Sequence, residues 1–183
     1  MSGCPANPQI TLKVIIDRSP AQVVGTFNTT VNKAVTEART KREGGDPDWW
    51  RPLEASLAVI GSQSEDVLTC IEDELDSGRE KPINIDYLLV EVIPSFLSLD
   101  GKPDVMAGSR SLTRLPSECP FLQGRGFVFA SQFSRLLPQE ISGSYLDAAI
   151  RVIENDDAQI PIKVSAVKAI QGYALLVVSG YLD

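Results

Sequence analysis

The chain has 183 residues, with 24 acidic against 17 basic side chains, a net charge of −7 and no histidine. That length supports one domain with a real core and not two comfortable ones. The missing imidazole excludes Ser–His and Cys–His catalysis and His-ligated metals, and the acidic balance opposes a general nucleic-acid binder, which needs basic surface against phosphates.

In chain order, the first patterned stretch is Gln9 to Ile16, where Ile10, Leu12, Val14 and Ile16 alternate as a strand would. A single strand among helices has no partner, so the end of a helix is the better expectation. From Pro20 to about Lys41, Val23, Val24, Phe27, Val31, Val35 and Ala38 fall three and four apart, the spacing of one helical face. Ser19 and Pro20 suit its start, and Gly44-Gly45-Asp46-Pro47 stops it. Trp50, Leu53, Leu57, Ile60, Ser64, Val67, Leu68, Ile71 and Leu75 continue the period to about Ser77, as one bent helix or two abutting ones around Gly61. Gly78 suits the C-terminal cap.

A further helix starts near Asn84, and Pro94 is expected to bend or end it early. Leu99 to Glu118 has no periodicity and reads as a long loop. Three more helices are expected. The first spans about Pro120 to Leu137, with Leu122, Phe129, Phe133 and Leu136 on its stripe. The second spans Gln139 to Glu154, through Tyr145, Leu146, Ala149 and Ile153. The third spans about Ile160 to Val177, through Val164, Val167, Ile170 and Ala174. The expected fold class is all-α.

Self-comparison points to a degenerate repeat. Ile160-Pro161-Ile162-Lys163-Val164-Ser165-Ala166-Val167-Lys168-Ala169-Ile170 combines a first-turn proline, a basic residue and small residues three apart. Glu54-Ala55-Ser56-Leu57-Ala58-Val59-Ile60-Gly61 resembles it, with Ala55 and Ala58 in the places of Ala166 and Ala169. Pro120-Phe121-Leu122-Gln123-Gly124-Arg125-Gly126 gives a third version. Small residues let an inner helix approach its neighbours, and pairs that cannot bury both faces alone stack into a solenoid. The competing arrangement is an ordinary helical bundle. As a single solenoid unit, residues 1–183 would hold about three helix pairs, near 20–77, 84–137 and 139–177, with the long loop at about 99–118.

Trp50-x-x-x-Glu54-Ala55-Ser56-Leu57-x-x-x-Gly61-Ser62 resembles the inner helix of a HEAT repeat in the importin-β (karyopherin) superfamily of nuclear transport receptors. Cys119-Pro120-Phe121-Leu122-x-Gly124-Arg125-x-x-x-x-Ala130-Ser131-x-Phe133 and Lys163-x-Ser165-Ala166-Val167-Lys168-Ala169-Ile170-x-Gly172-Tyr173 are similar to two others. The likeness covers most of Pro20 to Tyr173 and is greatest to the central region of receptors that carry core histone dimers. It implies an α-solenoid of HEAT-type (armadillo-like) antiparallel helix pairs that contributes to a nuclear import receptor. Such a receptor binds basic cargo, core histones or ribosomal proteins, under Ran-GTP control, and contacts nuclear pore proteins through the full-length parent. Those receptors are several times longer, so an isolated fragment or partial gene product is expected. Alternatives are a non-transport HEAT scaffold and, behind it, a small α-helical enzyme using carboxylates or Cys119.

Motifs for chemistry are sparse. Gly124-Arg125-Gly126 lacks the third glycine and the preceding strand of a dinucleotide loop. Glu65, Asp66, Glu72, Asp73, Glu74 and Asp76 share a helix with Val67, Leu68, Ile71 and Leu75 and read as its solvated face. Asn155-Asp156-Asp157 lacks the spacing of a calcium loop. Cys70 reads as a small core residue, and Cys119 precedes a helix start with no base nearby in sequence. Trp49-Trp50 reads as one core anchor and one surface aromatic. No enzyme activity, cofactor or metal is expected. Cys4, Cys70 and Cys119 are odd in number and widely spaced, which suggests a reducing compartment. With no apolar run near about 18 residues and Lys13 and Asp17 breaking the early apolar patch, neither membrane nor signal peptide is expected, and cytoplasm and nucleus are the expected locations. One turn keeps a functional reading. The resemblance implies a cargo-touching loop in this region, where Arg42, Glu43, Asp46 and Asp48 surround Gly44-Gly45 and the acids could face basic cargo.

Overall fold

The computed structural model describes residues 8–97 and 119–178. The expected loop at Leu99–Glu118 and Cys4 lie outside them. Among the described residues the fold is all-helical, with no strand. Helix α1 (Pro8–Arg18) replaces the strand-like alternation at Gln9–Ile16, as the absence of a partner strand predicts. It packs on α2 (Pro20–Glu43), which buries Val24, Phe27, Val31, Ala34, Val35 and Ala38. On the outer side of α2, Thr26, Thr29, Thr30, Thr36 and Thr40 each donate a hydroxyl proton to the carbonyl one turn back, so these hydroxyls are satisfied within the helix itself.

The period across Gly61 resolves into two helices, α3 (Arg51–Gly61) and α4 (Ser64–Asp76), both packed against α2. Gly78, at φ +69°, follows α4 and takes the left-handed turn that side chains resist. The next segment is compound. α5 (Ile85–Tyr87), capped by Asn84 Oδ1 accepting from the Tyr87 amide, passes through a π-helical turn (Leu88–Val92) into α6 (Ile93–Leu97). Then come α7 (Pro120–Gln132), a 3₁₀ turn (Ser134–Leu136), α8 (Gln139–Glu154) and α9 (Ile160–Val178).

Pro94 accounts for the π turn. A proline inside a helix has no N–H to give and its ring crowds the preceding turn. Here the Ile93 amide reaches back five residues to the Leu88 carbonyl, which widens the helix just before the ring. In that register Leu89's carbonyl lines up with Pro94, which has no proton to offer. The Tyr145 hydroxyl of α8 donates to it at 2.6 Å, in the buried interior. A buried carbonyl without a donor costs about 1–3 kcal/mol, so this bond fixes α8 against the compound helix.

The organising feature is a row of three parallel helices. Between α3 and α7, Trp50 stacks on Phe121 with ring centroids 5.8 Å apart, and Arg125 Nε donates to Glu54 at 2.9 Å. Gly61 leaves space for the side-chain amide of Gln132. All three pairs are separated by 71 residues, so the helices run in the same direction and in register. Between α7 and α9, Gly124 faces Ser165 and Ser131 faces Gly172, both pairs 41 residues apart. α9 therefore continues the row, parallel again. Small residues set the spacing: a Cβ on Gly124 would sit 2.6 Å from Ser165 Oγ, and one on Gly172 would sit 2.9 Å from Ser131 Oγ. α8 packs against both α7 and α9, while Phe127, Phe129 and Phe133 fill the core beside them.

Three details of the sequence reading need correction. Leu75, expected on the core stripe, is 47% exposed at the end of α4, past the last turn that packs inward. Ala55 is exposed and Ala58 half-buried, so they do not play the parts of Ala166 and Ala169, which are fully buried. The register set by the paired contacts brings Glu54 and Leu57 to those levels instead. The expected core stripe of α9 is also displaced. Ile162, Ala166, Ala169 and Tyr173 face inward, while Ile160, Val164, Val167 and Ala174 face out. α9 carries aliphatic residues on both its inner and outer faces, so periodicity alone cannot choose the inner one; the close approach of α7 selects the face with small residues.

Candidate functional site: the acidic turn between α2 and α3

The turn forms because α2 runs out into two glycines. The Gly44 amide donates to Thr40 O and the Asp46 amide to Lys41 O, and Gly45 takes φ +76°. Asp46 Oδ1 then accepts from the Asp48 amide at 2.9 Å, an Asx turn that redirects the chain. Asp48 pairs with Arg51 at 2.9 Å on the first turn of α3. Lys41 pairs back to Glu37 at 2.8 Å, and that carboxylate raises the lysine's pKa above its ordinary value.

The four residues singled out from sequence come together here with different roles. Glu43 and Asp48 are exposed, Asp46 is half-buried in its Asx turn, and Arg42 turns inward. The Arg42 guanidinium lies 5.0 Å from the centroid of the Trp49 ring and donates to the Phe96 carbonyl at 3.4 Å. Trp49 in turn stacks on Phe96 at 5.3 Å, with Arg39 5.9 Å from the same phenyl ring. Arg42 thus joins α2, the turn and the end of α6. Sequence reasoning missed this cluster because Phe96 lies more than fifty residues from Arg42; the one local signal was a tryptophan beside a turn rich in arginine. Trp49 is the buried anchor of the tryptophan pair and Trp50 the half-exposed member, the division expected.

The chain offers the turn two outward carboxylates, of Glu43 and Asp48, and a third, of Asp46, already accepting a backbone proton. A second acidic surface lies on α4, where Glu72, Asp73 and Asp76 are exposed. Glu65 is engaged by Arg135 at 2.9 Å, and Glu74 by Arg79, which holds the Glu74 carboxyl below its ordinary range. Among the described residues no group of three or more His, Cys, Asp or Glu is placed to hold a metal. Cys70 is buried, and burial followed by the nearby Glu74 and Asp73 charges raises its pKa, the reverse of what a nucleophile needs. Cys119 is buried too, at the start of α7.

Arg42→Ala is expected to lower stability by about 1 kcal/mol through loss of the stacked cation and the Phe96 contact. Thermal unfolding checks this, and Glu43→Gln, which touches neither ring, is expected to leave the midpoint within about a degree. Among the described residues no helix is long and apolar enough to cross a membrane. No protein-family model matches the sequence.

Proposed function

We propose that the chain is a HEAT-type α-solenoid segment of a nuclear import receptor that presents an acidic surface to basic protein cargo. The observation that supports this reading most is the row α3–α7–α9. Parallel helices at fixed sequence offsets, joined through small residues and backed by further helices, are what stacked helix pairs produce and what a closed bundle with antiparallel neighbours does not. The net charge of −7 and the outward carboxylates at Glu43, Asp48, Glu72, Asp73 and Asp76 favour a basic partner such as a core histone dimer or a ribosomal protein. Ran-GTP release and contact with nuclear pore proteins belong to the whole receptor on this reading.

The test is titration of a labelled core histone dimer with this chain, by fluorescence anisotropy at about physiological salt, where charge interactions are screened beyond roughly 8 Å. The paired variant Glu43→Gln/Asp46→Asn removes two charges and keeps the turn, because an asparagine Oδ1 accepts the Asp48 amide as well. Exposed charges each contribute about 0.2–1 kcal/mol, so a loss of about two- to thirtyfold is expected if the turn meets the cargo. Binding no tighter than that of polylysine of similar charge would overturn the cargo reading.

A further inference from the structure

The outward arc of α9 exposes several large aliphatic side chains. Ile160 is 77% exposed, Val164 49%, Val167 54% and Leu175 64%, and these residues recur at helical spacing along one side, with the exposed amide of Gln171 between Val167 and Leu175. The opposite side already buries Ile162, Ala166, Ala169 and Tyr173 against α7 and α8. A helix apolar on both faces is built to be covered on both. Lys168 is exposed on one flank of the outward arc and Lys163 half-buried on the other, and Ile160–Val178 contains no carboxylate, in a chain whose net charge is −7.

A second copy of the chain is a poor cover. Two α9 arcs meeting antiparallel would bring Lys168 against its own counterpart near the midpoint. Docking the exposed Val14 and Ile15 of α1 there would set Arg18 against the same lysines, with Asp17 the one acid beside it. The acidic helix α4 has the right charge, but its apolar residues Val67, Leu68 and Ile71 are already buried at home. Like charges in close contact oppose both homotypic arrangements.

We propose that the outward face of α9 is a docking surface for an amphipathic helix of another protein, one with aliphatic residues every three and four positions and acidic residues on both flanks. Aliphatic side chains seat between Ile160, Val164, Val167 and Leu175, while the flanking carboxylates meet Lys163 and Lys168, the helix-on-groove mode of recognition. The surface is separate from the acidic turn, so it is tested independently of the cargo reading.

The probe is a synthetic blocked helical peptide of leucines at that spacing flanked by glutamates, with a second peptide carrying lysines in place of the glutamates. The glutamate peptide is expected to bind the full chain with a dissociation constant in the micromolar range, and the lysine peptide at least about fivefold more weakly. Val164→Asp/Val167→Asp should abolish binding while leaving the far-ultraviolet circular dichroism unchanged, since both residues are solvent-facing. Lys163→Glu/Lys168→Glu should invert the preference between the peptides. No binding of the glutamate peptide at about 100 μM, equal binding of both peptides, or binding that survives Val164→Asp/Val167→Asp overturns the proposal. Self-association abolished by the aspartate pair would assign the face to a second copy. Tighter binding to phosphatidylserine vesicles than to the peptide would assign it to a lipid surface.

Discussion

Gly124→Val is expected to destabilise the protein by about 2–3 kcal/mol, and Ser165→Gly in the same chain to return a large part of the loss. A Cβ at position 124 would meet both Ser165 side-chain atoms, Oγ at 2.6 Å and Cβ at 2.8 Å, while the next neighbour, Pro161 O, is 3.8 Å away. The hydroxyl can rotate aside, but the Ser165 Cβ cannot without moving α9. Removing the serine side chain clears both obstructions and by itself costs about 1 kcal/mol for a glycine inside a helix. Urea unfolding of the wild type, both single variants and the double gives the coupling. A coupling energy above about 1 kcal/mol places positions 124 and 165 in direct contact, and losses that add within about 0.5 kcal/mol would mean α7 and α9 do not approach as described.

The two buried tyrosines of α8 and α9 should respond in opposite ways to losing a hydroxyl. Tyr145 donates to the Leu89 carbonyl, so Tyr145→Phe strands a buried acceptor and is expected to cost about 1–3 kcal/mol. The Tyr173 hydroxyl is buried without a hydrogen-bond partner among the described residues, so Tyr173→Phe removes a polar burden and should be neutral or stabilising. Equal losses from both substitutions would refute the assignment.

Alkaline pH offers a second readout of the same pair. Burial raises both phenol pKa values above their ordinary range, with the neighbouring Tyr173 adding to the effect at Tyr145. A raised folded pKa means the folded state keeps its proton while the unfolded chain releases it above about pH 10. The associated stability is full below that pH and declines as pH rises, by about 1.4 kcal/mol per pH unit for each phenol. The Tyr173→Phe protein, with one such group fewer, should therefore unfold at higher pH than the wild type.

How much of this was legible in the sequence follows from the range of the forces involved. The apolar face of α2 and its glycine stop are local, and Val24 to Ala38 sit where their spacing puts them. Three segments named for their small residues proved to be the three helices of the row, because a close helix contact leaves a compositional trace at Gly61, Gly124 and Gly172. Their alignment was off by one at Ala55, since small residues show that a helix is approached and not from which side. The inner face of α9 was misassigned for the same reason that its outer face is now of interest: both are apolar. The π turn was half-visible. Pro94 foretold a defect, but the donor that resolves it, Tyr145, lies 56 residues from the Leu89 carbonyl it meets. At the turn after α2 the carboxylates were found by charge alone, whereas the structural duty of Arg42 depends on Trp49 and Phe96, which only tertiary packing brings to it.

The unequal offsets in the row, 71 residues from α3 to α7 and 41 from α7 to α9, bear on how such a chain can change over evolutionary time. The register is held by contacts between the three helices and not by the length of polypeptide that joins them. Lengthening a connection is correspondingly mild, because doubling a flexible loop adds only about 0.6 kcal/mol of closure entropy. A single methyl group at Gly124 has a larger effect than many inserted residues between the same two helices. Insertions and deletions should therefore accumulate in the connections, while the glycine and serine positions where the helices touch stay fixed.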